Sequence, residues 1–94
     1  MYHILSTRVA AVSDLLGSAH PLTEAHVNQI RSLAAEIVYQ HQYRLKRDNV
    51  YRNLHMDAIS AWRLVCRTTD QYEVRRRVEI AVRHTSLLVL SGTA

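Results

Sequence analysis

The chain has 94 residues and carries a formal net charge of +4 at neutral pH. Its hydrophobic fraction of 48% and charged fraction of 21% are close to the averages of globular domains, which argues against a disordered chain or a fibrous repeat. Two glycines and one proline are too few for the many tight turns of an all-β domain of this size, so long helices with short connections are favoured.

The chain has one cysteine, Cys66, which cannot form a disulfide within the chain. A single thiol is typical of a reducing compartment rather than of secreted, disulfide-stabilised scaffolds. No apolar run approaches the roughly 18 to 20 residues that span a bilayer, and the N-terminus lacks the basic and apolar regions of a signal peptide. We therefore expect a cytoplasmic protein that is neither exported nor anchored in a membrane.

The first two predicted helices are separated by a short break. Apolar residues of the first recur at alternating steps of four and three, which places them on one side of a helix over residues 4–16. These residues are Leu5, Val9, Val12 and Leu16. After Pro21, Thr23 is a favourable N-cap, so the second helix is predicted over residues 24–46. Its buried face is predicted to consist of Val27, Ile30, Ala34 and Ile37, with His41 at the edge.

A third helix is predicted over residues 50–67. Asp48 and Asn49 supply turn and cap chemistry before it. Its apolar stripe consists of Tyr51, Leu54, Ala58, Trp62 and Val65.

A fourth helix is predicted over residues 70–90. Thr68, followed three residues later by Gln71, matches the capping-box pattern, and Asp70 places a negative charge at the helix N-terminus. Gly92 is predicted to end this helix.

These segments predict an all-α fold, a small bundle of three to four helices in a single helical domain over residues 1–94. The run of residues 87–90 is apolar on every side of a helix and cannot all face one small core, so part of it is expected to meet a second chain. We predict an intertwined homodimer whose interface contains Val78, Val82, Leu87, Leu88 and Leu90. The alternative is a loosely held terminus whose leucines fold back on the first helix.

Six histidines are a high number for this length: His3, His20, His26, His41, His55 and His84. No two of them are three or four residues apart, which is the spacing that places two metal ligands on one helix face. We therefore predict no metal site. The histidines are expected at the surface or at helix boundaries, with His41 at the edge of the core.

Cys66 is the only candidate nucleophile with a distinctive setting, because Arg63 and Arg67 could lower the pKa of its thiol. A small residue late in an amphipathic helix is more often packed than reactive. A helical bundle with two glycines also has few of the glycine-containing turns that usually form an oxyanion hole or a phosphate-binding loop. We predict no catalytic residue and no cofactor.

Basic residues concentrate in two clusters. The first consists of Arg44, Lys46, Arg47 and Arg52, and the second of Arg63, Arg67, Arg75, Arg76, Arg77 and Arg83. Glutamates at helical spacing predict ion pairs in the second cluster, namely Glu73 with Arg77, Arg75 with Glu79, and Glu79 with Arg83. The third helix is too long for a helix-turn-helix motif, but Arg75, Arg76, Arg77 and Arg83 remain candidates for phosphate contacts.

Three segments, 48–50 (DNV), 64–69 (LVCRTT) and 77–85 (RVEIAVRHT), resemble the YmgB/AriR family of biofilm and acid-resistance regulators. The layout of earlier helices agrees, and the resemblance covers about residues 9–86. It implies an all-helical homodimer from enteric bacteria, a non-enzymatic connector that modulates a two-component phosphorelay controlling biofilm matrix and acid resistance. DNA binding is also proposed for that family. This sequence departs from the family in its basic charge, the three consecutive arginines 75–77 and the apolar end at 87–90.

The favoured functional hypothesis is a regulatory protein that binds a partner protein, such as a sensor kinase or a regulator. Its predicted contact residues are Tyr39, Tyr43, Arg44 and Arg47, since both tyrosines lie off the buried stripe and one helical turn apart. One alternative is a nucleic-acid-binding transcriptional regulator. Another is a small inhibitor of a host complex, encoded by a phage or mobile element.

Overall fold

The structure is a computed structural model that describes residues 3–18 and 21–93, with side chains described up to residue 91. The described residues form four α-helices: α1 (His3–Ser18), α2 (Glu24–Leu45), α3 (Arg52–Arg67) and α4 (Gln71–Thr93). The prediction of an all-α bundle is confirmed, with four helices. Most predicted helix ends agree within two residues, but Gly92 does not end the last helix, which continues to Thr93.

The helices form one bundle, in which α3 packs against both α2 and α4 while α1 packs mainly against α2. A radius of gyration of 12.8 Å is close to the value of about 12 Å expected for a compact chain of this length. The core contains Leu5, Val12, Ile30, Ile37, Ala58, Trp62, Val65, Val74, Val78, Ala81 and Leu88. Trp62 is its largest fully buried side chain.

Capping residues define where two of the helices begin. Thr23 caps α2 as predicted, and the residue that completes its capping box is His26, whose Nδ1 accepts from the backbone N–H of Thr23. The predicted capping box of α4 is wrong. Asp70 caps α4 instead, with Oδ1 accepting from the backbone N–H groups of Tyr72 and Glu73 at 2.8 and 3.0 Å.

Thr68 caps the C-terminus of α3 rather than the start of α4, and its hydroxyl donates to the carbonyl oxygen of Leu64. Arg31 satisfies a second carbonyl at this end, since its Nε–H donates to the oxygen of Cys66 at 2.8 Å. The end of α3 is thus tied to α2, which helps to fix the position of these two helices relative to each other.

Candidate partner-binding surface and buried polar network

An aromatic and cationic surface lies on the outer side of α2, at its C-terminal end. We call it the α2 surface and define it by Tyr39, Gln42, Tyr43, Lys46 and Arg47. Tyr39 is 63% exposed and Tyr43 45% exposed, while the guanidinium of Arg47 lies 4.0 Å from the centre of the Tyr43 ring. This cation–π contact holds the positive charge of Arg47 against the exposed Tyr43 ring.

Arg44, which was predicted to share this surface, lies on a different side of α2. It is half-buried, and its positive charge acts on His55 in the protein interior. The structure therefore brings together Tyr39, Tyr43 and Arg47 but not Arg44.

A second exposed apolar area was not predicted. Leu64 of α3 and Ile80 of α4 are both exposed and line a shallow groove between these helices, together with Asp57, Arg77 and His84. Both residues lie off the buried stripes of α3 and α4, so helical periodicity could have identified them as exposed apolar positions.

A chain of hydrogen bonds crosses the core between α2, α3 and α4. His41 Nδ1 lies 3.0 Å from His55 Nδ1, and His41 Nε2 lies 2.8 Å from the hydroxyl of Thr85. Trp62 Nε1–H donates to the same hydroxyl at 2.9 Å, and His55 Nε2 lies 3.4 Å from Asp48 Oδ2. We call these five residues the buried network. No buried side-chain polar atom within the described residues lacks a hydrogen-bond partner.

Burial favours the neutral form of both imidazoles. Burial is the largest cause of the lowered pKa of His41, and together with the neighbouring His55 it brings that pKa to about 3. Burial also lowers the pKa of His55, although the hydrogen bond and charge of Asp48 act in the opposite direction. The expectation that the histidines lie at surfaces and helix boundaries is therefore wrong for His55, and His41, which was expected at the edge of the core, is also fully buried. His20 lies outside the described residues.

A signal for this network was present in the sequence. His55 precedes Ala58, Ile59 and Trp62 by three, four and seven residues, which places it on the buried side of α3. That spacing identifies a buried histidine but does not identify the residue that faces it.

The arginines proposed for phosphate contacts have intramolecular partners. Arg75 Nη1–H donates to the carbonyl oxygen of Leu16 at 3.1 Å, and Arg77 Nη1–H donates to Thr68 at 2.7 Å. Arg76 forms an ion pair with Glu73 at 2.7 Å. These three side chains therefore do not form one free cationic surface, whereas Arg83 is exposed.

Of the three predicted ion pairs on α4, only that between Glu73 and Arg77 forms, at 3.6 Å. The predictions that Glu79 pairs with Arg75 and with Arg83 are wrong for the conformation described. Both Glu79 and Arg83 are exposed, and neither makes an ion pair with another described residue.

The residues predicted at the dimer interface fall into two groups. Val78 and Leu88 are buried in the core of the single chain, and Val82 is half-buried. Leu87 and Leu90 are exposed. Only the exposed members are accessible to a second chain in this fold.

Burial raises the pKa of the Cys66 thiol, although Arg31, Arg63 and Arg67 act in the opposite direction. Desolvation of the thiol therefore outweighs the effect that the neighbouring arginines could have on its pKa. Among the described residues there is no cluster of three or more His, Cys, Asp or Glu side chains arranged to hold a metal ion. Over the same residues, no helix combines the length and apolar character that crossing a bilayer requires.

Comparison with known proteins finds no match to a family model, to a curated protein or to a solved structure.

Proposed function

We propose that this chain is a non-enzymatic regulatory protein that binds a partner protein through the α2 surface. The observation that carries the proposal is the exposure of Tyr39 and Tyr43 one helical turn apart, with Arg47 stacked on the second ring. Tyrosine and arginine are the residue types that most often supply binding energy in protein interfaces, because they bury a large area at a low cost in conformational entropy.

The charge of the surface indicates the chemistry of the partner. Lys46 and Arg47 are both exposed beside the tyrosines, whereas the nearby Glu36 is paired with Arg8 at 3.0 Å. An acidic segment of a partner protein would gain from both the charge and the aromatic contacts.

The resemblance to the YmgB/AriR family supports the finer part of the proposal. On that basis the protein is a cytoplasmic homodimer whose partner is a sensor kinase or regulator of a two-component phosphorelay controlling biofilm and acid resistance. An inhibitor of a host complex would use the same kind of surface.

The nucleic-acid alternative is less well supported. Arg75 and Arg77 each donate a hydrogen bond within the chain, to Leu16 and to Thr68, and Arg76 is paired with Glu73. Breaking these contacts to reach phosphates would offset part of the free energy gained by binding them. Nucleic acid therefore remains the second candidate, with Arg83 as its exposed arginine.

The test is capture of partners from bacterial lysate by the tagged protein, at low and moderate salt and with nuclease-treated samples alongside. A discrete protein retained in every condition, and lost when Tyr39→Ala and Tyr43→Ala are combined, is the expected result. The matched control combines Leu64→Ala with Ile80→Ala, which removes exposed apolar groups from the groove between α3 and α4.

Two results would contradict the proposal. Loss of the partner with the control but not with the tyrosine variant would assign binding to the groove instead. Recovery of nucleic acid alone, lost at higher salt, would favour the nucleic-acid alternative.

A further inference from the structure

The outer side of α4 carries six exposed residues in a regular row. They are Tyr72, Arg76, Glu79, Arg83, Ser86 and Leu90, and we call this row the α4 ridge. Successive members are separated by four, three, four, three and four residues, so the row runs nearly straight along the helix. It lies opposite the buried face of α4, which contains Val74, Val78, Ala81 and Leu88.

The sequence of spacings along the ridge is the same whether it is followed from Tyr72 or from Leu90. When two copies of α4 pack ridge to ridge and antiparallel, about a two-fold axis at the level of residue 81 along the helix, the first member of one ridge meets the last member of the other. Tyr72 then faces Leu90 of the second copy, and Glu79 faces Arg83 of the second copy. An isologous interface requires this kind of self-complementarity, in which each contact occurs twice.

The chemistry of the ridge fits the same arrangement. At its ends, Tyr72 is 79% exposed and Leu90 68% exposed, which makes them two of the most exposed large apolar side chains described. At its centre, Glu79 and Arg83 have opposite charges and make no ion pair with another described residue. Antiparallel packing would cover the apolar ends and pair the central charges at the same time.

We propose that the α4 ridge is a self-association surface that packs antiparallel against the same ridge of a second copy of this chain. The proposal gives the homodimer proposed above a specific interface, and it does not depend on partner binding at the α2 surface. The ridge spans about 27 Å of helix, from Tyr72 to Leu90. Its centre is charged and its apolar contacts are confined to the ends, so the dimer should be weak and sensitive to salt.

The antiparallel arrangement predicts how charge reversals behave. Glu79→Arg places two arginines opposite each other at both central contacts, and Arg83→Glu does the same with two glutamates. Each single variant should weaken dimerisation by about tenfold, because two exposed attractive pairs become repulsive. The double variant Glu79→Arg/Arg83→Glu restores both pairs and should dimerise like the wild type.

Mixing the two single variants is the decisive measurement. A chain with Glu79→Arg carries two arginines at the centre, and a chain with Arg83→Glu carries two glutamates. The mixture should therefore form a heterodimer that is at least tenfold tighter than the homodimer of either variant. Sedimentation velocity at low ionic strength over a range of concentrations measures all of these species. Rescue by mixing also shows that the single variants are folded.

The matched controls reverse charges on the exposed side of α3. Asp57→Arg and Arg63→Glu change the net charge by the same amounts and should leave dimerisation unchanged. A wild type that is monomeric at every concentration would overturn both this interface and the proposed homodimer. A dimeric wild type whose ridge variants behave like the controls, or whose mixture gives no heterodimer, would overturn the α4 interface alone.

Discussion

His41 and His55 lie 14 residues apart in the chain, yet their Nδ1 atoms are 3.0 Å apart in the core. Two nitrogens at this distance share one proton, so one ring donates and the other accepts. The hydrogen bonds at the ends of the buried network determine which imidazole donates. Asp48 is an acceptor when ionised, so His55 donates to it from Nε2 and must accept at Nδ1. His41 therefore donates from Nδ1.

The hydrogen bond at Nε2 of His41 determines the remaining donors and acceptors of the buried network. Its Nε2 is then an acceptor and receives the hydroxyl proton of Thr85, whose oxygen in turn accepts from Trp62 Nε1–H. We predict that imidazole nitrogen NMR at neutral pH shows the Nδ1–H tautomer for His41 and the Nε2–H tautomer for His55. The opposite pair of tautomers would mean that Asp48 does not direct the network.

The buried imidazoles should make stability depend on pH. The folded pKa of His41 is about 3, whereas an unfolded histidine titrates near about 6.5, so the unfolded chain binds more protons between these values. The free energy of unfolding should therefore be greatest above about pH 6.5 and decrease as the pH falls. His55, whose pKa is also lowered, acts in the same direction.

The interval between pH 6.5 and 5 separates this effect from acid titration of carboxylates, which mostly protonate near about pH 4. Urea unfolding across it should show a loss of about 1.7 kcal/mol from His41 alone. His3→Asn removes an exposed histidine outside the network and should leave this slope unchanged. A stability that is constant over the interval would show that both imidazoles become protonated in the folded protein.

The hydroxyl of Thr85 is the hydrogen-bond partner of both Trp62 Nε1–H and His41 Nε2. Thr85→Val keeps the shape of the side chain but removes its hydroxyl, which leaves Trp62 Nε1–H and His41 Nε2 buried without their hydrogen bonds. We expect a loss of about 2 to 4 kcal/mol in the free energy of unfolding. Urea unfolding followed by the fluorescence of Trp62, the single tryptophan, measures it.

Thr85→Ser is the matched control for that variant. It keeps the hydroxyl and removes one methyl group, so it should cost about 1 kcal/mol. If both variants lose the same stability, packing rather than hydrogen bonding is the role of Thr85.

Asp70 rather than Thr68 caps α4, and this difference can be measured. Asp70→Ala removes the acceptor for the backbone N–H groups of Tyr72 and Glu73 and should lower the free energy of unfolding by about 1 kcal/mol. Gln71→Ala alters the residue that a Thr68 capping box would need, and it should have little effect. A larger loss from Gln71→Ala than from Asp70→Ala would restore the capping box that the sequence predicts.

The order of helices was predictable because hydrophobic periodicity is a local property of the chain. The exposure of Tyr39 and Tyr43 followed from the same periodicity, since both lie off the buried stripe. The contact of His41 with His55 did not follow, because periodicity identifies a buried face but not the residue opposite it. The ion pairs of Glu73 also depend on choices among nearby arginines, which spacing alone leaves open.

Cys66 gives a last test, of whether burial or neighbouring charge controls its thiol. Burial raises its pKa more than Arg31, Arg63 and Arg67 lower it, and its Sγ–H points to the carbonyl oxygen of Arg31 at 3.9 Å. A thiol-specific reagent at neutral pH should therefore react several-fold more slowly with the folded protein than with the protein in urea. An exposed reference thiol, Ser60→Cys in a Cys66→Ala background, should react at similar rates in both states. Faster reaction of folded Cys66 than of this reference would mean that the arginines, and not desolvation, set its pKa.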